Sequence, residues 1–200
     1  STANGYYYSF TYGNAKFIML NTNNNGGSGL EKAQYDWLIN ELENNDCTWT
    51  FVAMHAPLYS VGKWGSDSAR NGQSRALRTQ LQGIFAQYGV DIVFQGHDHL
   101  ASRTKALDGK GNATTESWVE ESGVSYSVDP DGVVYVMDGT AGSSGGAVTS
   151  VADGIYYYAQ TVATQSWADI TIEGNKLTLA LKYYSGGKVN TLKTWGIKKS

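Results

Sequence analysis

Three histidines are present, and each follows a run of apolar residues. His55 closes Trp49-Thr50-Phe51-Val52-Ala53-Met54, while His97 and His99 follow Val90-Asp91-Ile92-Val93-Phe94 through Gln95-Gly96. Imidazole is the commonest side-chain ligand for zinc, iron and manganese, and a His-x-His pair leaving a strand can aim its rings at one ion or at two neighbours. A third imidazole at the matching end of another strand puts all three in the crevice beyond the carboxyl ends of parallel strands, where helix-flanked sheets bind ligands. Plainer readings stand beside this one. His55 could donate to a backbone carbonyl where its strand turns, and His97 and His99 could be surface loop residues. Gly96, directly before the pair, reads as backbone that needs a positive φ or a close approach. Pro57, one of two prolines, fixes the chain as it leaves the first strand. Cys47 is the one cysteine, which excludes an intramolecular disulfide and thiolate metal sites.

The elements that must position these residues come from a chain of 200 residues, 41% hydrophobic and with 24 glycines, enough apolar material for a packed core and unlike a disordered chain. Residues 1–200 read as a single unit without a linker. Charged residues are 16%, and 18 acids against 15 bases leave a net charge of −3, so there is no electrostatic footprint for nucleic acid or an anionic membrane surface. No stretch approaches the eighteen or so apolar residues of a membrane span. Ser1 to Asn4 lead at once into a strand pattern without a signal-peptide n-region or h-region. Fourteen Tyr and six Trp with few Lys or Glu resemble the surfaces of extracellular β-rich proteins, which sets the expectation of an extracellular or cell-envelope location.

Tyr6–Tyr12 and Ala15–Leu20 read as strands joined by a Gly13-Asn14 turn. Ser28-Gly29-Leu30-Glu31 has capping-box spacing, and Leu30, Ala33, Trp37, Leu38 and Leu42 recur at helical spacing after it. A second amphipathic helix carries Leu77, Leu81, Ile84, Phe85 and Tyr88, with Gly89 placed to stop it. The two runs that lead to the histidines are short and almost continuously apolar, as in strands covered on both faces. Beyond His99 the pattern becomes antiparallel β, with strands at Ser102–Leu107, Val119–Ser127, Val133–Met137, Tyr156–Thr164, Ala168–Ile172, Leu177–Tyr184 and Val189–Lys198. Gly139–Gly146 is a Gly/Ser-rich loop. The class is mixed α/β: two helices and a largely antiparallel β meander.

Met54-His55-Ala56-Pro57-Leu58-Tyr59, followed some forty residues later by Gly96-His97-Asp98-His99, resembles the last two metal motifs of the calcineurin-like metallophosphoesterases. The purple acid phosphatase branch is the closer resemblance, because Arg103 follows the Gly-His-x-His motif and Val134–Met137 leads into Asp138-Gly139-Thr140-Ala141-Gly142. The Trp37-Leu38 helix and the terminal run from Trp167-Ala168-Asp169 to Ile197-Lys198-Lys199 fit it too. The resemblance implies the C-terminal half of a four-layer α/β/β/α fold. It implies a phosphoric ester hydrolase of acid phosphatase or phosphodiesterase type with a binuclear site, in which His55 and His97 bind one metal ion and His99 the other. Arg103 would approach a substrate phosphate or make a structural ion pair; Tyr59 would flank the substrate or simply pack; Asp98 would orient a ring or be solvated, the latter slightly favoured.

Three earlier motifs of that pattern are missing: an Asp-x-His, a Gly-Asp-x-x-Asp or Tyr, and a Gly-Asn-His. The bridging carboxylate, the amide ligand and the acid/base histidine would therefore lie upstream. Two metal ions (Fe, Zn or Mn) are expected in the complete protein, and at most one, weakly bound, in this chain alone, which should be weakly active or inactive. A missing N-terminal half or a partner chain is expected to cover apolar sheet surface left open here. From another class comes the alternative of a secreted, aromatic-rich β module that binds glycans without catalysis. It predicts coplanar exposed aromatics on one sheet face and ligand binding indifferent to His55, His97 and His99, and it gains if the three imidazoles lie far apart.

Overall fold

The computed structural model describes the chain except residues 1–4, 24–27, 66–71, 139, 141, 143–144, 150–153 and 163. The reading of Ser1–Asn4, and much of the Gly139–Gly146 loop, lie outside the described residues. In chain order the elements are β1 (Tyr8–Tyr12), β2 (Ala15–Met19), α1 (Lys32–Glu43), β3 (Trp49–Ala53), α2 (Gly72–Gln87), β4 (Ile92–Gln95), β5 (Ala101–Leu107), β6 (Ser117–Glu121), β7 (Val124–Val128), β8 (Val133–Asp138), β9 (Tyr156–Gln160), β10 (Ser166–Glu173), β11 (Lys176–Ser185) and β12 (Lys188–Lys198).

Two sheets form. The first has the order β1-β2-β3-β4-β8-β5-β9, with β2, β3, β4 and β8 parallel; the second runs β10-β11-β12-β7-β6. The strands after β4 are thus not one continuous meander: β5, β8 and β9 extend the first sheet while the others build the second. The stretch expected as one strand from Val119 to Ser127 is a hairpin, β6 and β7, turning at Ser122 and Gly123, both with positive φ.

Alternation along the buried strands explains the layering. Val52, Val93, Val133 and Tyr135 face one side and pack on Leu38 and Leu42 of α1 and Leu77, Leu81 and Phe85 of α2. Their neighbours Phe51, Ile92, Val134 and Val136 face the other side and meet Leu177, Leu179, Leu181, Trp195 and Ile197 of the second sheet. Each helix presents its apolar residues at a spacing of four, one stripe wide, so it covers one face of a sheet and no more. The result is three layers, helices on sheet on sheet. At about 25 cal/mol per Å² of apolar surface, the central strands β3, β4 and β8 are where the burial energy of both cores converges, because both of their faces are covered.

Two local expectations change. Ser28 does not cap α1: Glu31 itself occupies the N-cap position with extended backbone and no side-chain cap bond. Gln80, midway along α2, instead accepts from the Leu30 N–H at 2.7 Å, tying the chain before α1 to the middle of α2. The edge strand β1 keeps Tyr8, Phe10 and Tyr12 exposed at 40%, 47% and 81%. Phe10 stacks on Phe17 with centroids 4.9 Å apart, and Phe17 meets Phe51 at 5.0 Å, so the open row is the end of an aromatic stack that runs into the core.

Candidate metal centre

Strand register brings two histidines together. Phe51 pairs with Ile92 and Ala53 with Phe94 across the parallel β3–β4 ladder. The ladder continues past both strands: the Met54 N–H donates to the Phe94 carbonyl at 2.9 Å, and the Gly96 N–H donates to the His55 carbonyl at 3.0 Å. A Cβ on Gly96 would sit 3.4 Å from the His55 ring, at van der Waals contact. The positive φ expected of Gly96 belongs to its neighbour: His97 has φ 71°, one of three described non-glycine residues in that region. That conformation, sparsely populated for a side chain of this size, turns the ring back toward His55.

The His55 Nε2 and His97 Nδ1 atoms lie 2.9 Å apart, with the rings edge to face at 4.9 Å. Two imidazole nitrogens bound cis to one ion at metal–nitrogen distances of about 2.0–2.1 Å would be separated by about 3 Å, so this pair fits a shared ion. His55 is exposed and both His97 and His99 are half-buried. Burial first, and then the His55 ring, hold His97 below the ordinary imidazole range; His99 adds to the effect and Asp98 opposes it. The downward shift favours the neutral ring, the form that ligates metal. His99 is near enough to act on His97 electrostatically, yet among the described residues no group of three or more His, Cys, Asp or Glu side chains is gathered closely enough to hold an ion. The chain offers a pair of donors with a third nearby.

Two buried polar side chains hold the turns that carry this pair. Gln95 accepts from the N–H groups of Leu58 and Tyr59 at 2.8 and 3.2 Å and donates to the Tyr59 carbonyl at 2.6 Å, clamping the chain after His55 to the end of β4. Asp98 is 5% exposed, so the solvated role favoured for it is corrected. Its carboxylate accepts from Ser60 Oγ and from the Trp64 N–H at 3.1 and 3.3 Å. A Cβ on Gly62 would meet that carboxyl at 2.5 Å, so the loop passes only because the residue is glycine. The pinned loop lays Trp64 against His97 with centroids 4.7 Å apart. Gln95, Ser60 and Trp64 were not singled out from the sequence; an amide closing an otherwise apolar strand was the visible sign of the first.

The other two candidates lie elsewhere. Tyr59 is buried at 4%, donates its hydroxyl to Gln82 Oε1 at 2.6 Å and packs on Tyr135 at 4.6 Å, in the helix-side core. Arg103 points to the opposite face of the first sheet, its guanidinium 3.8 Å from the Trp195 ring centroid, in a pocket whose lining includes no histidine. Among the described residues the carboxylate it pairs with is Glu116, at 3.8 Å.

Residues 2–101 match the calcineurin-like phosphoesterase family. Purple acid phosphatase 23 of Arabidopsis thaliana is 31% identical over 144 residues, which is 68% of this chain and 26% of that protein. Purple acid phosphatase 15 of the same plant is 29% identical over 140 residues, 68% of this chain and 22% of that protein. Among solved structures, a purple acid phosphatase from yellow lupin (Lupinus luteus) seeds superposes with a TM-score of 0.78 over 97% of this chain and 33% of that one, at 22% identity. The chain spans about a quarter of the curated relatives it matches.

Proposed function

This chain belongs to the calcineurin-like phosphoesterase family, and on that premise we propose that the whole protein is a metal-dependent phosphoric ester hydrolase with a binuclear centre. In this reading His55 and His97 share one ion and His99 serves the second. The 2.9 Å approach of His55 Nε2 to His97 Nδ1 carries the reading, and it withholds from the glycan-module alternative the support that separated imidazoles would give it. When bound, the metal pair supplies a lowered water pKa and a polarised phosphate oxygen. The chain's own part is positional: the imidazole nitrogens are the donors, the Gln95 clamp and the Asp98 staple hold their backbones, and Trp64 walls one side of His97.

The remaining ligands and the acid/base group are assigned to a segment outside these 200 residues. The exposed aromatic row of β1 and the unpaired edge of β10 in the second sheet are the surfaces proposed to receive it, since both end an otherwise covered interface. An extracellular or cell-envelope location is proposed on the aromatic-rich, charge-poor composition.

Hydrolysis of 4-nitrophenyl phosphate with added Zn²⁺, Mn²⁺ or Fe tests the reading. The 200 residues alone should turn over little, and activity should appear when the upstream segment is supplied and vanish with His55→Ala. Robust turnover by the isolated chain would overturn the divided centre; activity of the assembled protein that ignores His55 and His97 would overturn the ligand assignment.

A further inference from the structure

We propose that the cleft between the β9 edge of the first sheet and the β6–β12 face of the second is a binding site for a small oxyanion carried on a flat ring, an arene carboxylate being the simplest case. The cavity is about 350 Å³, at the lower end of the volumes of about 300–1,000 Å³ that hold small ligands. Trp118 of β6 and Tyr157 of β9 meet at its mouth edge to face, centroids 5.4 Å apart, and both are about two-fifths exposed. They offer a flat ring two aromatic walls.

Arg103 lies inside, 3% exposed, with its guanidinium carbon 3.8 Å from the Trp195 centroid and 4.7 Å from that of Tyr157. Its Nε and Nη2 atoms have no hydrogen-bond partner among the described residues. These two donors form the side-on fork that takes a carboxylate through two parallel bonds. Glu116, with Oε2 3.8 Å from Nη2, compensates the charge without closing a hydrogen bond. Burial pushes the guanidinium down to about 10, and Glu116 opposes that fall. Lys193 is exposed and also lines the cleft, while no acidic side chain does, so the lining is cationic. Buried donors left unpaired cost free energy that a ligand oxygen would recover.

The site is independent of the histidines, and so is its test. Benzoate is titrated into the purified chain and followed by indole emission and by calorimetry. Benzyl alcohol supplies the ring without the charge, and sulfate the charge without the ring. Benzoate should give a saturable change that neither control reproduces. Trp118→Ala and Lys193→Glu, both at exposed positions, should each weaken it about three- to tenfold, while His97→Ala leaves it unchanged. Equal response to sulfate overturns the ring requirement, equal response to benzyl alcohol overturns the role of Arg103, and no saturable response overturns the site.

Discussion

His55 and His97 owe their approach to two adjacent parallel strands, whereas Arg103 is enclosed by side chains from β6, β9 and β12, drawn from both sheets. The first arrangement is solvent-facing and is set by backbone hydrogen bonds; the second is desolvated and is set by ring packing. The difference separates two kinds of dependence. Ligand geometry at the histidines rests on strand register and can lose a side chain at small cost in stability. The Arg103 region carries buried charge, and there a missing partner is felt by the whole fold.

Substitutions sharpen that contrast in descending order of expected effect. Arg103→Met should cost about 3–5 kcal/mol in urea unfolding, because it leaves the buried Glu116 carboxylate unpaired, and adding Glu116→Leu should restore most of it. A loss below about 1 kcal/mol for Arg103→Met would erase the distinction. Asp98→Ala should cost about 2–3 kcal/mol, since the Trp64 N–H loses its acceptor, and indole emission should shift to the red as Trp64 leaves His97.

Asp138 gives a pH test. Burial raises its carboxyl to about 6 against an ordinary 3.8, and Oδ2 has no partner among the described residues, while Ser166 Oγ donates to Oδ1 at 2.7 Å. The folded chain therefore holds this proton more tightly than the unfolded chain. Its penalty is absent below about pH 4, grows as pH rises to about 6 and stays constant above. Asp138→Asn should remove that slope and gain on the order of 2 kcal/mol at pH 7, read from thermal unfolding between pH 4 and 8. A variant with the slope unchanged would place the charge in contact with water.

His55→Ala should have the smallest effect on folding, within about 0.5 kcal/mol at this exposed position. Zinc affinity, measured by competition with a chromophoric chelator, should fall about tenfold or more. A large stability loss here would make the imidazole a structural group and break the contrast from the other side.

What the sequence made legible follows the same division. Both helices, the two strands that lead to the histidines and the convergence of His55 with His97 are written in local periodicity and in the shared ends of neighbouring strands. The sorting of later strands between two sheets is not, because β5, β8 and β9 carry the same apolar alternation as β10, β11 and β12. Asp98 could not be read as a staple: its partners Ser60 and Trp64 lie more than thirty residues away, and a carboxylate between two histidines has no local sign of burial. Of the two roles open to Arg103 in the sequence, the structure places it beside Glu116 at ion-pair distance, and its ring surroundings could not be read locally because they come from residues as much as about ninety positions away.

The ladder that outlasts β3 and β4 acts as a ruler for the imidazoles, and rulers fail by slipping. Removing a single residue from β3 would leave every ligand type in the chain yet turn His55 to the opposite side of the sheet. Removing two would restore the side and displace the ring along the strand by about 6.6 Å, beyond any shared ion. The spacing of the pair is therefore stored as strand length, a quantity that substitution leaves untouched and that only insertion or deletion can rewrite.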